Sequence, residues 1–178
     1  WAEMEGIHWR SDYDLTQHSK FSGQDLSYVD PLTHEKYLPM ITESSGGVDR
    51  SFFFMLLDAY REESTPSGET RTYLKINPKI SAYKMAVIPL AANKPELIDK
   101  AETIFQQLSS KYSVDWDDSS NIGKKYRRQD EIGTPWCLVV DYQTLEDNTV
   151  SIRDRDTMEQ IRLNADEIDS WLQIQLNK

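Results

Sequence analysis

The sequence is poor in the residues that staple a chain or carry it through a membrane. It has one cysteine, Cys137, in 178 residues. That excludes an internal disulfide framework and any cysteine-rich zinc site. Its three histidines, His8, His18 and His34, fall at no H-E-x-x-H or zinc-finger spacing, so no metal site is expected. No apolar run approaches the roughly 20 residues needed to cross a bilayer, so no membrane span is expected. No basic segment followed by an apolar one opens the chain, so no secretory leader is visible. Glycine and proline number seven each, with no low-complexity tract and no repeat of about 20–50 residues. Basic side chains are the minority, 20 against 30 acidic, for a formal net charge of −10. Taken as a sum, that charge argues against a polyanionic partner. The lone cysteine and the missing leader together point to a reducing, cytoplasmic compartment.

What the chain does have is aromatic residues: five Trp, nine Tyr and five Phe. They argue for a packed core despite a mean hydropathy of −0.66. The length suits one large domain or two small ones. A chain that opens at Trp1, directly on a strand-like run, reads as part of something longer. Charge marks no boundary: residues 1–79 carry 8 basic and 13 acidic side chains, and residues 80–178 carry 12 and 17. Pattern does mark one. Trp1 to His8 alternates like a strand, and Ser11 to Phe21 suits a short helix with Ser11 as N-cap and Ser22-Gly23 as stop. Leu26 to Asp30 and Lys36 to Glu43 read as a hairpin across Asp30-Pro31-Leu32-Thr33. Val48 to Arg61 predicts a buried helix, Glu62 to Glu69 a solvated loop, and Arg71 to Ile76 an extended segment. Asn77 to Ala82 is the best linker.

Beyond that linker the rhythm changes to alternating strands and helices. Met85 to Leu90 is a continuous apolar run, as in a strand buried on both faces, and Pro89 suits its end. Pro95 opens a helix with apolar positions 97, 98, 101, 104, 105 and 108 on one face. Tyr112 to Trp116 predicts a second strand. Ser120 or Asn121 caps a basic helix, Ile122 to Gln129. Trp136 to Tyr142 predicts a third strand, Val150 to Arg155 and Glu159 to Leu163 a closing hairpin, and Asp166 to Leu176 a last helix. This order implies a mixed α/β sheet with helices on both faces.

Three stretches could carry chemistry. Glu43-Ser44-Ser45-Gly46-Gly47-Val48-Asp49-Arg50 joins a strand end, a glycine turn and a helix start. Small residues admit a close ligand, free N–H groups at a helix start favour an anion, and Arg50 could fork a phosphate. Glu43 could hold an ammonium group. The same residues would also make a tight turn capped by Ser45, with Arg50 paired to Asp49 or Asp58. Glu3 and Glu5 alternate on one side of the first strand and could orient a cationic ligand or a metal-bound nucleotide, or could face solvent. Lys124, Lys125, Arg127 and Arg128 surround Tyr126, and Arg153, Arg155 and Arg162 follow. Cations interleaved with an aromatic suit a nucleic-acid surface, and equally a solvated face balanced by Asp130 and Glu131. Cys137, inside an apolar strand, reads as a core residue.

Four blocks resemble one family. Trp1-Ala2-Glu3-Met4-Glu5-Gly6-Ile7-His8 with Arg10-Ser11-Asp12-Tyr13-Asp14-Leu15 and His18 is similar to E-x-E-G-I…R-[ST]-D-[YF]-D-L…H of the glycyl-tRNA synthetases, class II enzymes of the dimeric type. Glu43 to Arg50 resembles the family's E-P-S-x-G-V-D-R, the third class II signature, with Ser44 where the family usually has proline. Residues 121–135 resemble N-I-G-[KR]-x-Y-R-R-x-D-E-[IV]-G-T-P, and residues 150–162 resemble V-x-[VI]-R-D-R-D-[ST]-M-x-Q-I-R.

That resemblance implies the C-terminal piece of an antiparallel-sheet catalytic domain over residues 1–79, then a mixed five-stranded α/β anticodon-binding domain over 80–178. It implies a ligase joining glycine to tRNA(Gly) with ATP and Mg2+, as a homodimer when intact. Glu43, Ser44, Ser45, Gly46 and Gly47 would line the glycine pocket. Glu3, Met4, Gly47, Val48, Asp49 and Arg50 would face ATP, with Arg50 catalytic at its phosphates. Lys124, Arg127 and Arg128 are the candidates for the anticodon. The first and second class II signatures are not found, so the chain alone is expected to bind RNA without activating glycine. The other reading is a non-catalytic nucleic-acid-binding module of synthetase ancestry, such as a polymerase accessory subunit. A third is an acidic α/β protein with no nucleic-acid role.

Overall fold

A computed structural model describes residues 3–64 and 68–178. Contacts divide the chain into two compact units, Trp1–Phe54 and Met55–Lys178.

In the first unit, β1 (Glu5–Ser11) pairs antiparallel with β4 (Ile41–Gly46), placing Gly6 opposite Ser45 and His8 opposite Glu43. The expected N-cap Ser11 is instead the last residue of β1, at φ 52°, and Asp12 precedes α1 (Tyr13–Ser22). Gly23 ends α1 as expected, at φ 69°, and donates its N–H to the Ser19 carbonyl. The predicted strand Lys36–Glu43 is divided. β3 (Lys36–Tyr37) pairs back on β2 (Tyr28–Val29) across a turn in which Asp30 Oδ1 accepts the N–H groups of Leu32 at 2.7 Å and Thr33 at 2.9 Å. Pro39 has no N–H to continue that ladder, and the chain crosses to β1. α2 (Val48–Ala59) forms where expected but is not buried: Val48 is 82% and Phe52 57% exposed, and Ala59 is its one buried residue. A helix apolar on most sides needs cover on most sides, and the described residues leave these faces open.

In the second unit, β5 (Tyr60–Ser64) and β6 (Thr70–Leu74) form an antiparallel hairpin, with Glu63 opposite Arg71. The loop expected from Glu62 therefore starts later. Its middle, 65–67, lies outside the described residues. The expected linker is a hydrogen-bonded turn, with the Asn77 carbonyl accepting from Ile80 at 2.9 Å and Ser81 at 3.0 Å. Lys84 Nζ donates to the carbonyls of Pro78, Lys79 and Ser81. The division between units consequently falls within α2, and residues 55–79 belong to the same compact unit as residues 80–178.

Five strands then make one sheet: β7 (Met85–Pro89), β8 (Val114–Trp116), β9 (Trp136–Val140), β10 (Thr149–Asp154) and β11 (Gln160–Asn164), in the order β11-β10-β9-β7-β8. β9 is central; β7 is parallel to both β8 and β9, and β10 is antiparallel to β9 and β11. Parallel neighbours need crossover helices, supplied by α3 (Pro95–Ser109) and α4 (Ile122–Ile132). α5 (Tyr142–Asp147) was not expected. Asp141 caps it in a reciprocal box with Thr144. α6 (Ile168–Leu176) closes the chain after a 3₁₀ turn at Ala165–Glu167.

Strand alternation sorts the core into two layers. Met85, Val87, Leu138, Val150 and Ile152 pack with Leu97, Ala101, Ile104 and Leu108 of α3 and Ile168 and Leu172 of α6. Ala86, Ile88, Cys137 and Val139 face the other way, against Ile122 and Tyr126 of α4. Gly133 caps α4 at φ 82°, and a Cβ there would lie 2.8 Å from Ile76 Cδ1 and 3.2 Å from the Leu74 carbonyl. Only glycine fits that close approach.

Beneath α4 lies a polar lock. Asp130 is 3% exposed at its side chain and Arg71 is 4%. Arg71 Nε donates to Asp130 Oδ2 at 2.9 Å, and Arg153 Nη1 and Nη2 donate to the same carboxylate at 2.9 and 3.1 Å. Arg155, also buried, donates to the Gly133 carbonyl at 2.7 Å and the Ile76 carbonyl at 3.0 Å. Removing the shared carboxylate leaves buried Arg153 without an ion pair among the described residues, and buried Arg71 with Glu63 alone. Asp130→Ala is therefore expected to cost about 3–5 kcal/mol in a urea-unfolding measurement. Ile174→Ala, on an exposed side chain, should stay within about 0.5 kcal/mol of the parent.

Candidate functional sites

The first unit holds an open hollow of about 430 Å³ lined by Glu3, Met4, Ser45, Gly46, Gly47 and Arg50. Pairing of β1 with β4 brings Glu3 and Met4 beside the turn, and the first turn of α2 projects Arg50 into the same space. Arg50 Nη1 donates to the Glu3 carbonyl. Among the described residues Arg50 has no ion pair with Asp49 or Asp58, so its other donors are available to an anion. Period-two alternation puts Ser44 on the opposite sheet face from Ser45 and Glu43. Glu43 does not line the hollow; Arg10 Nε lies 3.4 Å from its Oε2. Val48 and Asp49 open α2 outside the lining. The hollow can thus accept an anionic group at Arg50, with small residues admitting it closely.

The second unit presents basic groups around the carboxyl ends of its parallel strands. α3 and α4 leave β7 and β8 toward opposite faces, and such switch points are where open α/β sheets bind ligands. Arg128 forks Asp117 at the end of β8, with 3.0 Å from Nε and 2.6 Å from Nη2, and also donates to Ser119. Burial pushes the Asp117 carboxyl up, but Arg128 outweighs it and the net shift is down. Lys125, grouped by sequence with the surface cations, is fully buried and donates to the Pro89 carbonyl at 2.8 Å. Burial lowers its pKa, so it is a core residue of the α4–β7 contact. Arg127 is exposed and pairs with Glu69. Lys124 is exposed and has no side-chain partner among the described residues.

A second polar surface lies beside α4. Val150 and Ile152 point into the α3–α6 layer, so Ser151 and Arg153 face the α4 side. The register sets Arg162 opposite Ser151 and Gln160 opposite Arg153. Gln160 and Arg162 are exposed. The Arg153 guanidinium lies 4.7 Å from the Tyr126 ring centre. Burial pushes the Tyr126 hydroxyl up to about 12, so it stays protonated. Arg162 holds Asp141 with two 2.7 Å bonds. Burial raises the Cys137 thiol well above its ordinary range, which leaves it unreactive. Among the described residues no group of three or more His, Cys, Asp or Glu is placed to hold a metal ion. Among them, too, no helix is long and apolar enough to cross a membrane.

The model of the anticodon binding domain family matches residues 84–175. The chain belongs to the anticodon-binding domain family. The match spans β7 through most of α6, the whole mixed sheet. Similarity to curated proteins runs further and covers both compact units. The chain is 50% identical over 172 residues to the glycine–tRNA ligase of Clostridium tetani, covering 97% of this chain and 36% of that protein. It is 47% identical over 176 residues to the enzyme of the same name from Streptomyces coelicolor, covering 97% and 38%. It is 49% identical over 173 residues to that of Staphylococcus epidermidis, covering 97% and 37%. The chain thus spans little more than a third of the length of these relatives.

Within the anticodon-binding domain, sequence singled out Lys124, Arg127 and Arg128. It placed Arg153 and Arg162 among the later basic residues without assigning either a role. Only strand register reveals that they share a face, and the β10 alternation V-S-I-R is the signal from which that face can be read. Among the carboxyls of this domain that sit below their ordinary value of about 4 are two held by arginine: Asp141, chiefly through Arg162, and Asp117, through Arg128 against the opposing effect of burial. The unfolded chain takes up their protons first, so their stabilisation is present above about pH 4 and is lost as pH falls through the lowered values. Urea midpoints measured from pH 7 to pH 3 should decline in that window. Arg162→Ala should flatten the decline.

Proposed function

We propose that this chain is the tRNA-reading part of a glycine–tRNA ligase together with one wall of its catalytic site. The single observation that carries the reading is identity near one half running through 97% of the chain, across both compact units. The family match beginning at Lys84 supports residues 80–178 as the anticodon-binding part and 1–79 as the catalytic part. This division follows ancestry, and the packing division within α2 follows contacts.

In this reading the anticodon loop of tRNA(Gly) approaches the α4 side of the sheet. Exposed Lys124 and Arg127 and the half-buried Arg128 meet phosphates. Tyr126, Arg153, Gln160 and Arg162 offer a ring, planar cations and an amide to unstacked bases, the groups that single-stranded RNA loops require. The net charge of −10 does not oppose this, because local cations and stacking set the contact.

The hollow beside Arg50 is the proposed nucleotide and glycine side. Arg50 would hold ATP phosphates, with Glu3, Met4, Gly47, Val48 and Asp49 around the nucleotide. Ser45 would crowd the glycine α-carbon and so exclude side chains, and Glu43, Ser44, Gly46 and Gly47 would complete that pocket. A steric wall suffices to reject larger amino acids. The lining contains one carboxylate, Glu3, which does not make a dedicated cation site, so Mg2+ is proposed to travel with the nucleotide. A second copy of the chain is the remaining partner that the resemblance implies.

Fluorescence anisotropy tests the reading. The chain should bind tRNA(Gly) with an affinity that falls as salt rises, and should prefer it over a tRNA with an altered anticodon. Lys124→Ala should weaken binding to both alike and reduce the salt slope by about one. Equal affinity for both tRNAs would overturn the reading. Because the hollow is open and cannot exclude water, glycine-dependent ATP–pyrophosphate exchange by this chain is expected to be absent.

A further inference from the structure

The proposed RNA face uses Arg153, yet that arginine is almost wholly buried and its orientation is set from behind. Both of its Nη groups are committed to Asp130, at 2.9 and 3.1 Å. Its Nε has no acceptor among the described residues, and its flat face lies over Tyr126. Asp130 is not held by α4 alone. Its Oδ2 takes a second donor, Arg71 Nε at 2.9 Å, from the β5–β6 hairpin. Arg71 is itself fixed on three sides: by Glu63 across the hairpin, by the Arg155 carbonyl, and by the Tyr73 ring 4.3 Å away. One carboxylate therefore serves two buried guanidinium groups, and a change at one must be felt by the other.

We propose that Arg71 is a positioning residue for RNA recognition, holding Asp130 so that Arg153 stays over Tyr126 with its Nε–H uncommitted. The inference rests on the proposed RNA reading and adds a buried residue on a hairpin that precedes the family-matched region. The geometry explains why lysine cannot substitute. A single ammonium cannot reach Asp130, Glu63 and the Arg155 carbonyl in a planar fork while stacking on Tyr73. Two neighbours of the same network are separate in role. Arg155 ties backbone carbonyls of Gly133 and Ile76 together, and Asp156 accepts from Arg155; neither touches Asp130.

The test is a double-mutant cycle on the whole chain with Arg71→Gln and Arg153→Gln. The readout is the ratio of affinities for the tRNA(Gly) anticodon stem-loop and for one with an altered anticodon. Arg71→Gln is expected to lower that ratio at least about fivefold, the smaller end of what one oriented arginine contributes. In the Arg153→Gln background the same change should have no further effect, because Arg71 acts only through Arg153. Arg71→Lys should not restore the ratio. An unchanged ratio in Arg71→Gln, or equal losses in both backgrounds, overturns the proposal. If the parent chain itself shows no preference, the RNA reading fails and the inference fails with it, which separates the two. Should the variants not fold, the parent decides: titration with the cognate stem-loop should shift the arginine Nε–H NMR signals of both Arg71 and Arg153. A shift at Arg153 alone overturns the positioning role.

Discussion

Asp130 carries one negative charge and sits between the guanidinium groups of Arg71 and Arg153, all three shielded from water. Burying ions is costly unless each finds a partner of good geometry, so this carboxylate constrains everything around it. It fixes the rotation of α4, because Asp130 must point inward. It ties the β5–β6 hairpin to α4, because Arg71, paired with Glu63 within the hairpin, also reaches Asp130 of the helix. It sets Arg153 against Tyr126, which gives the α4 side of the sheet its polar, cationic character. Gly133 extends the same constraint: the helix can end against Ile76 and Leu74 only with no side chain in the way. The parallel strands and their apolar layers would form without this lock, but the surface beside α4 would not have its present shape.

The first unit rests on a different principle. Its two sheets have two strands each, and its helix α2 presents phenylalanines outward. What it does organise is local: a glycine turn entering a helix, with one arginine in the first turn and a carboxylate strand paired alongside. Such an arrangement needs only two elements: β1 pairs with β4 across the whole intervening chain, Glu5 opposite Gly46, and α2 starts directly after β4. That explains how a hollow with the residues of an anion site forms while the surrounding apolar surface stays uncovered.

Much of this was legible in the residues. The apolar run at Met85, the helix spacing from Leu97 to Leu108, the Asn121 cap and the glycine stops follow from side-chain size, periodicity and hydrogen-bonding capacity, and they determined the mixed five-stranded sheet. The four sequence blocks determined the family resemblance. Local signals failed where a choice lay between two equally satisfied partners. Ser11 and Asp12 both suit a cap; strand pairing took Ser11. Lys36 to Glu43 looks like one strand, and Pro39 divides it between two sheets. Lys125 reads as a surface cation among its neighbours, and only the helix rotation imposed by Asp130 buries it under the Pro89 carbonyl. The sequence by itself determined which residues were available, apolar for the core, basic for a nucleic-acid surface and small for a turn. Which cations are exposed, which are buried and which share a face was decided by tertiary structure, because strand register and helix rotation are set by long-range packing that no local pattern contains.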